Sequence, residues 1–255
     1  MNNIFAIPAF SDNYIWCVHD AEHALVVDPG DAAPVIQTLQ EKQLTLTHIL
    51  ITHHHYDHTG GVETLIAAYP DVIVYGPKNP KIAGINQHLE EGDSLLLKNP
   101  QIELKILETP GHTMDHIVFF NDDLVFCGDT LFSAGCGRMF EGTPEVFYRS
   151  LLKLAELPEH TKVYCTHEYT LANLAFASHI DPNNSALQEY QTWATAQRNN
   201  NQITLPSSIA KQKQINPFIR CNSKTIKQNI ENIMNLSTHS EVEVFAALRR
   251  CKDDF

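Results

Sequence analysis

The stretch "HILITHHHYDHTGG", residues 48–61, decides how the rest of the chain is read. An apolar run ends at Thr52, and four histidines and an aspartate follow between His53 and His58. Imidazole fills a surface turn or a core poorly. Neutral imidazole is, however, the commonest metal ligand, and aspartate adds a hard oxygen donor. His53 and His55 lie two apart, so in extended chain their side chains leave the same face. His54 and Tyr56 alternate out of phase with that pair, which assigns His54 a supporting position rather than a ligand position. Asp57 and His58 follow in the turn, and Gly60 and Gly61 permit a sharp approach to the next helix.

One motif does not complete a metal site, and further donors stand at the ends of later apolar runs. "ETPGHTMDH" places His112 after a Pro-Gly turn, with His116 four residues on; "LVFCGDT" places Asp129 after a glycine; "VYCTHEYT" places His167 after a β-run. Strand ends on one rim of a sheet are where such sites assemble. These are more imidazole and carboxylate donors than one tetrahedral ion takes.

Around these points the first two-thirds of the chain alternates strands with helices. "NIFAI", "YIWCV", "ALVVDPG", "LTHILIT", "DVIVYG", "ELKILETPG", "HIVFFN", "DLVFCGD" and "KVYCTHEY" read as strands. "AAPVIQTLQEK", with Asp31 as N-cap, "GGVETLIAAYP" and "PEVFYRSLLKLAEL" read as helices. After about Tyr169 the β-branched runs disappear. "NSALQEYQTWATAQRNN", "SSIAKQKQ", "KTIKQNIENIM" and "EVEVFAALRR" suit helices, the last opened by a capping-box pattern at Ser240 and Glu243. The expectation is an α/β domain over 1–169 followed by a smaller helical domain over 170–255.

The 255 residues carry a formal net charge of −12. An acidic chain repels phosphate backbones, so nucleic acid is excluded as a default partner. No apolar run is long enough to cross a bilayer, and the N-terminal stretch has neither a basic nor a long apolar region of a secretory signal. Six scattered cysteines without a CxxC pair suit buried thiols in a reducing compartment. A cytoplasmic monomer is expected.

The order His53-x-His55-x-Asp57-His58, then His112, Asp129 and His167, resembles the full ligand set of the metallo-β-lactamase superfamily. That resemblance covers about residues 1–170 and implies an αββα sandwich with a dinuclear metal centre at one edge. By the same resemblance His53, His55 and His112 would hold one divalent ion, Asp57, His58 and His167 a second, and Asp129 would bridge them. Zinc is the expected metal, with iron and manganese as alternatives, since such donor sets accept all three. Within the superfamily, "GDTLFSAGCGRMFEGT" (128–143), "YCTHEYTLANLAFA" (164–177), "NPFIR" (216–220) and the tail "FAALRRCKDDF" (245–255) look like the glyoxalase II, or hydroxyacylglutathione hydrolase, family. This extends the resemblance to nearly the whole chain. It implies hydrolysis of S-(2-hydroxyacyl)glutathione thioesters, with S-D-lactoylglutathione giving D-lactate and glutathione. Its glutathione contacts map onto Arg138, Tyr169, Arg249 and Lys252. The chain departs from the family pattern at Phe140, where tyrosine is frequent, and at Arg138, where lysine is. Arginine can still bind a carboxylate, and in bidentate fashion. Asp57 and Asp129 are read as the catalytic carboxylates that work with a hydroxide supplied by the two ions. Other members of the superfamily include RNA nucleases, for which the acidic charge is unfavourable, and persulfide dioxygenases, which need only one iron. A non-catalytic binding protein would be expected to have lost ligands.

Overall fold

The computed structural model describes residues 3–255, and the chain folds as two compact units. The first comprises residues up to Glu108 together with Asp115–Gly128; the second comprises Thr109–Met114 together with Asp129–Phe255.

The first unit begins with a six-stranded sheet. Its strands are β1 (Asn3–Ala9), β2 (Asn13–His19), β3 (His23–Val27), β4 (Thr45–Leu50), β5 (Ile73–Pro77) and β6 (Gln87–Leu89), in that spatial order. β1, β2 and β3 pair antiparallel; β3 to β6 pair parallel. Parallel neighbours need crossovers, and helices α1 (Ala32–Lys42) and α3 (Val62–Ala68) supply two of them. Between these lies the four-residue helix α2 (Tyr56–Thr59), a single turn that spacing alone leaves as an unstructured bend. Asp31 caps α1 by accepting a hydrogen bond from the Ala33 amide, as its position predicts. Val35 and Leu39 of α1 and Val62 and Leu65 of α3 bury their side chains with Ile15, Cys17, Val26, Ile49 and Val74. Trp16, Val18, Leu25, Val27 and Leu50, on the alternate positions, are buried as well, so the sheet is covered on both faces. An antiparallel meander follows: β7 (Ser94–Lys98), β8 (Gln101–Glu108), β9 (Ile117–Phe120) and β10 (Leu124–Gly128). In β8, Ile102, Leu104 and Ile106 are buried while Gln101, Glu103 and Lys105 face solvent, the period-2 pattern of a half-buried strand.

The second unit is mainly helical. The small pair β11 (Leu131–Phe132) and β12 (Gly135–Cys136) precedes α4 (Pro144–Ala155); β13 (Lys162–Cys165) pairs antiparallel with β14 (Ser207–Ser208). Helices α5 (Thr170–Ile180), α6 (Ser185–Asn199), α7 (Ile209–Ile215), α8 (Lys224–Met234) and α9 (Glu241–Asp254) complete it. Phe245 of α9 centres one core, with Phe147 and Tyr148 of α4 and Phe218 all within 6.0 Å between ring centroids. Burial of one such ring contributes about 1.5–3 kcal/mol. Leu174 and Ala177 of α5, Leu187 and Ala194 of α6 and Ile215 of α7 form another. The capping box at α9 forms with a shift: Ser240 Oγ accepts from the Glu243 amide, but the Glu243 carboxylate accepts from the amide of His239, one residue earlier than the motif predicts. Among the described residues no helix is long and apolar enough to cross a membrane.

Candidate metal centre

Four of the seven candidate ligands lie in the first unit, on the segment that leaves β4 and enters α2. Residues 51–55 are neither helix nor strand, and the chain there brings His53 and His55 together. His53 Nε2 is 3.1 Å from His55 Nδ1, and His58 Nε2 is 3.5 Å from Asp57 Oδ2. Donor atoms of His53 and His58 also lie within 4.8 Å. His53 and His58 are fully buried, while the Asp57 side chain is 40% exposed. Gly30 makes this approach possible, because a Cβ there would stand 1.9 Å from the Asp57 carbonyl oxygen.

Asp28, just beyond β3, determines which imidazole nitrogens face the site. Its Oδ1 accepts from the Thr52 amide at 2.7 Å; its Oδ2 accepts from the Thr52 hydroxyl at 2.8 Å and from His58 Nδ1 at 2.9 Å. A carboxylate of this kind accepts, so His58 carries its proton on Nδ1 and directs the Nε2 lone pair at the Asp57 side. With its proton given to Asp28, the Thr52 oxygen accepts from His53 Nδ1 at 3.0 Å. His53 therefore also presents Nε2. Asn13 on β2 donates to Asp57 Oδ2 at 3.1 Å and holds that carboxylate. Neither Asp28, Thr52 nor Asn13 stands out by spacing; the strand-ending aspartate of "VVDPG" is the one signal that could have found them.

His54 directs Nδ1 to Asp115 Oδ1 at 2.9 Å, while its ring packs edge-on to that of His55 at 5.1 Å between centroids. His116 is buried and stacks on His53, with ring centroids 4.7 Å apart.

The second unit holds His112, Asp129 and His167 around one carboxylate. Asp129 Oδ2 is 3.5 Å from His112 Nε2, and Asp129 Oδ1 is 3.3 Å from His167 Nε2. Two donors bound at about 2.0–2.2 Å to one tetrahedral ion stand ~3.3–3.6 Å apart, so these spacings suit a metal. His112 donates from Nδ1 to the Arg138 carbonyl at 2.7 Å, leaving Nε2 for Asp129. His167 is stacked on Tyr169, with centroids 4.6 Å apart and planes at 3°. A Cβ on Gly137 would fall 2.0 Å from the Asp129 carbonyl oxygen, so the turn tolerates only glycine there. Phe140 packs its ring edge-on to His112 at 5.3 Å and is largely exposed.

The residues expected to bind glutathione have different surroundings. Arg138 is exposed, and its Nε donates to Asp253 Oδ1 at 3.3 Å. Arg249, expected to contact glutathione, is only 6% exposed, and its guanidinium is turned to the protein. One of its terminal nitrogens donates to the Cys136 and Gly137 carbonyls at 3.1 and 3.2 Å, the other to Asp253 at 3.0 Å, and the guanidinium lies over the Phe218 ring. Lys252 sits half-buried, 5.5 Å from the centroids of Phe176 and Phe255. Burial, and then the Arg249 cation, hold its pKa below the ordinary lysine value. Tyr169 is 38% exposed.

The comparisons with known proteins agree along the whole chain. Residues 10–167 match the family described as the metallo-beta-lactamase superfamily, and residues 168–255 match the one described as the hydroxyacylglutathione hydrolase C-terminus. The chain is 47% identical to hydroxyacylglutathione hydrolase of Photobacterium profundum, with all of both chains covered. It is 49% identical to the protein of the same name from Pseudoalteromonas translucida, again over the full length of both. Among solved structures, ETHE1 from Myxococcus xanthus is 27% identical, with 99% of each chain covered and a TM-score of 0.65. A B3 metallo-beta-lactamase, BLEG-1, at 21% identity and a TM-score of 0.63 over 86% of this chain and 99% of that one, shares the fold.

Proposed function

The chain belongs to the hydroxyacylglutathione hydrolases, thioester hydrolases of the metallo-β-lactamase superfamily that bind divalent metal, and from that premise we propose that it hydrolyses S-(2-hydroxyacyl)glutathione, with S-D-lactoylglutathione as substrate and D-lactate and glutathione as products. Residues 1–169 carry the metal chemistry in this reading, and 170–255 the glutathione site. His53, His55 and His112 would hold one ion and Asp57, His58 and His167 a second, with Asp129 shared between them; zinc is the first expectation. The observation that carries the dinuclear reading is Asp129, whose two oxygens each lie within 3.5 Å of a different imidazole Nε2. His53, His58 and His112 each have Nδ1 occupied as a donor, so each has Nε2 to offer.

When bound, the ions supply a hydroxide nucleophile near neutral pH and stabilise the oxyanion that develops at the thioester carbonyl. The protein's own groups do the rest. Asp28 and Thr52 lock the imidazoles in one tautomer. Asp57, oriented by Asn13, positions the incoming water. Arg138 meets a glutathione carboxylate in competition with Asp253, and Lys252 and Tyr169 complete the contacts. Glutathione leaves as a thiolate of pKa about 8.5, which needs no dedicated general acid. The chain acts in the cytoplasm as a monomer.

The test is steady-state hydrolysis of S-D-lactoylglutathione before and after chelation, with metal analysis of the same sample. Activity lost on chelation and restored with close to two ions per chain is expected. A fully loaded protein that leaves this thioester intact yet cuts a β-lactam overturns the substrate; full activity at one ion per chain overturns the dinuclear centre.

A further inference from the structure

His54 lies between two proposed ligands yet points elsewhere, into a closed ring of polar contacts within the first unit. His54 Nδ1 donates to Asp115 Oδ1 at 2.9 Å. Asp115 Oδ2 accepts from the Asn79 amide nitrogen at 2.7 Å. Asn79 Oδ1 in turn accepts from the Lys81 backbone amide at 2.9 Å, and Lys81 Nζ returns to His54 Nε2 at 3.4 Å. The His54 and Asp115 side chains are 11% and 9% exposed, so both contacts of the carboxylate are made with little water present to compete. The Asn79 amide group is fixed at both ends: its oxygen closes a local turn onto Lys81, which leaves only its N–H groups for Asp115. Asn79 is itself tied back to the end of β5, because its backbone amide donates to the Pro77 carbonyl at 2.9 Å.

We propose that Asp115, anchored by Asn79, is a positioning residue for the metal centre: through His54 it fixes the backbone between His53 and His55. Segment 51–55 is anchored at its start, where the Ile51 amide donates to the Tyr75 carbonyl and the Thr52 amide to Asp28, and the Asp115 contact adds a hold at His54. Side chains on alternate positions of extended chain leave opposite faces, so clamping the His54 ring on one face sets the direction of His53 and His55 on the other. The loop after β5 is the external reference, and Asp115 transmits its position. Asp115 holds His54 and is held by Asn79, so this route to the ligands runs through the conformation of the loop. The proposal rests on the reading that His53 and His55 bind metal.

The experiment compares wild type, Asp115→Ala, Asn79→Ala and the double variant as full-length protein. Zinc affinity is measured by competition with a chromophoric chelator, alongside thermal unfolding of the metal-free protein and kcat and KM at saturating zinc. A partner bonded directly to a ligand is worth about 10–100-fold in metal affinity, so a rise in Kd at the low end, about tenfold, is expected for Asp115→Ala, which acts through His54, with a smaller rise for Asn79→Ala. KM for the thioester should stay within twofold. The double variant should be no weaker than Asp115→Ala, because both act through one chain of contacts. Zinc affinity of Asp115→Ala within twofold of wild type, whether or not the melting temperature falls, overturns the proposal; so do additive effects of the two substitutions. Wild type that binds no zinc would instead sink the reading of the metal site itself.

Discussion

Asp28→Asn is the sharpest perturbation of the metal centre, because it keeps shape and removes one acceptor. Asp28 has φ of 53°, in the left-handed region, which asparagine tolerates better than other side chains. The wild-type carboxylate uses one oxygen for the Thr52 amide and the other for the Thr52 hydroxyl and His58 Nδ1. An amide has a single oxygen. If that oxygen stays on the Thr52 amide, the new N–H groups face His58 Nδ1, and the ring must move its proton to Nε2, the nitrogen proposed to bind metal. If the amide flips, the buried Thr52 N–H loses its acceptor. Either way one buried hydrogen bond to a carboxylate is lost, at about 1.5–3 kcal/mol. Backbone amides seldom give up a buried acceptor, so the first case is expected, and expressed as metal affinity its cost is about 10- to 150-fold, since about 1.4 kcal/mol is tenfold. The assay is zinc competition on a variant whose metal-free form still melts cooperatively. Asp28→Ala should be less stable again by about 1 kcal/mol, from the left-handed backbone alone. A folded Asp28→Asn that binds zinc within twofold of wild type would refute the reasoning that this carboxylate sets the His58 tautomer.

Arg249 and Arg138 should separate cleanly. Arg249→Met leaves the Cys136 and Gly137 carbonyls without their donor and should lower unfolding stability by about 2 kcal/mol or more, read from urea midpoints. Arg138→Met, at an exposed pair, should change stability by less than about 1 kcal/mol while raising KM for the glutathione thioester; equal stability losses in the two variants would contradict this division. The lowered pKa of Lys252 predicts that KM rises with alkaline pH before the ordinary lysine range of about 10.4 is reached, and that Lys252→Arg removes this limb. The same shift has a sign in stability: the unfolded chain holds this proton more tightly, so Lys252 disfavours folding below its folded pKa, and stability rises with pH between the folded and ordinary values. An alkaline KM limb unchanged in Lys252→Arg would assign it to another group. All six cysteines are buried free thiols, with burial pushing Cys17 and Cys165 up to about 12 and Cys136 to about 11, so native protein should react with a thiol reagent only on the timescale of its unfolding. A thiol titrated within seconds in buffer would show that one of these sites is open.

What the sequence by itself determined was whatever depends on neighbours along the chain. Period-2 spacing put His53 and His55 on one side and His54 on the other, because strand geometry alternates regardless of context. Asp31 at the head of α1 and Ser240 at the head of α9 were legible for the same reason: a cap bonds an amide two or three residues on. The helix over Lys224–Met234 follows from its own strong apolar periodicity. Only the tertiary structure decided which nitrogen each histidine presents, because Asp28 reaches His58 across 30 residues and Thr52 across 24. It alone placed Arg249 in the interior. The tail reads as cations for glutathione, and only with α9 packed does the Arg249 guanidinium meet carbonyls 112 and 113 residues away. The single turn of α2 escaped the sequence as well, since four residues are too few to show a period. Spacing encodes the direction of a side chain from its own backbone, whereas the partner it meets is set by how distant segments pack.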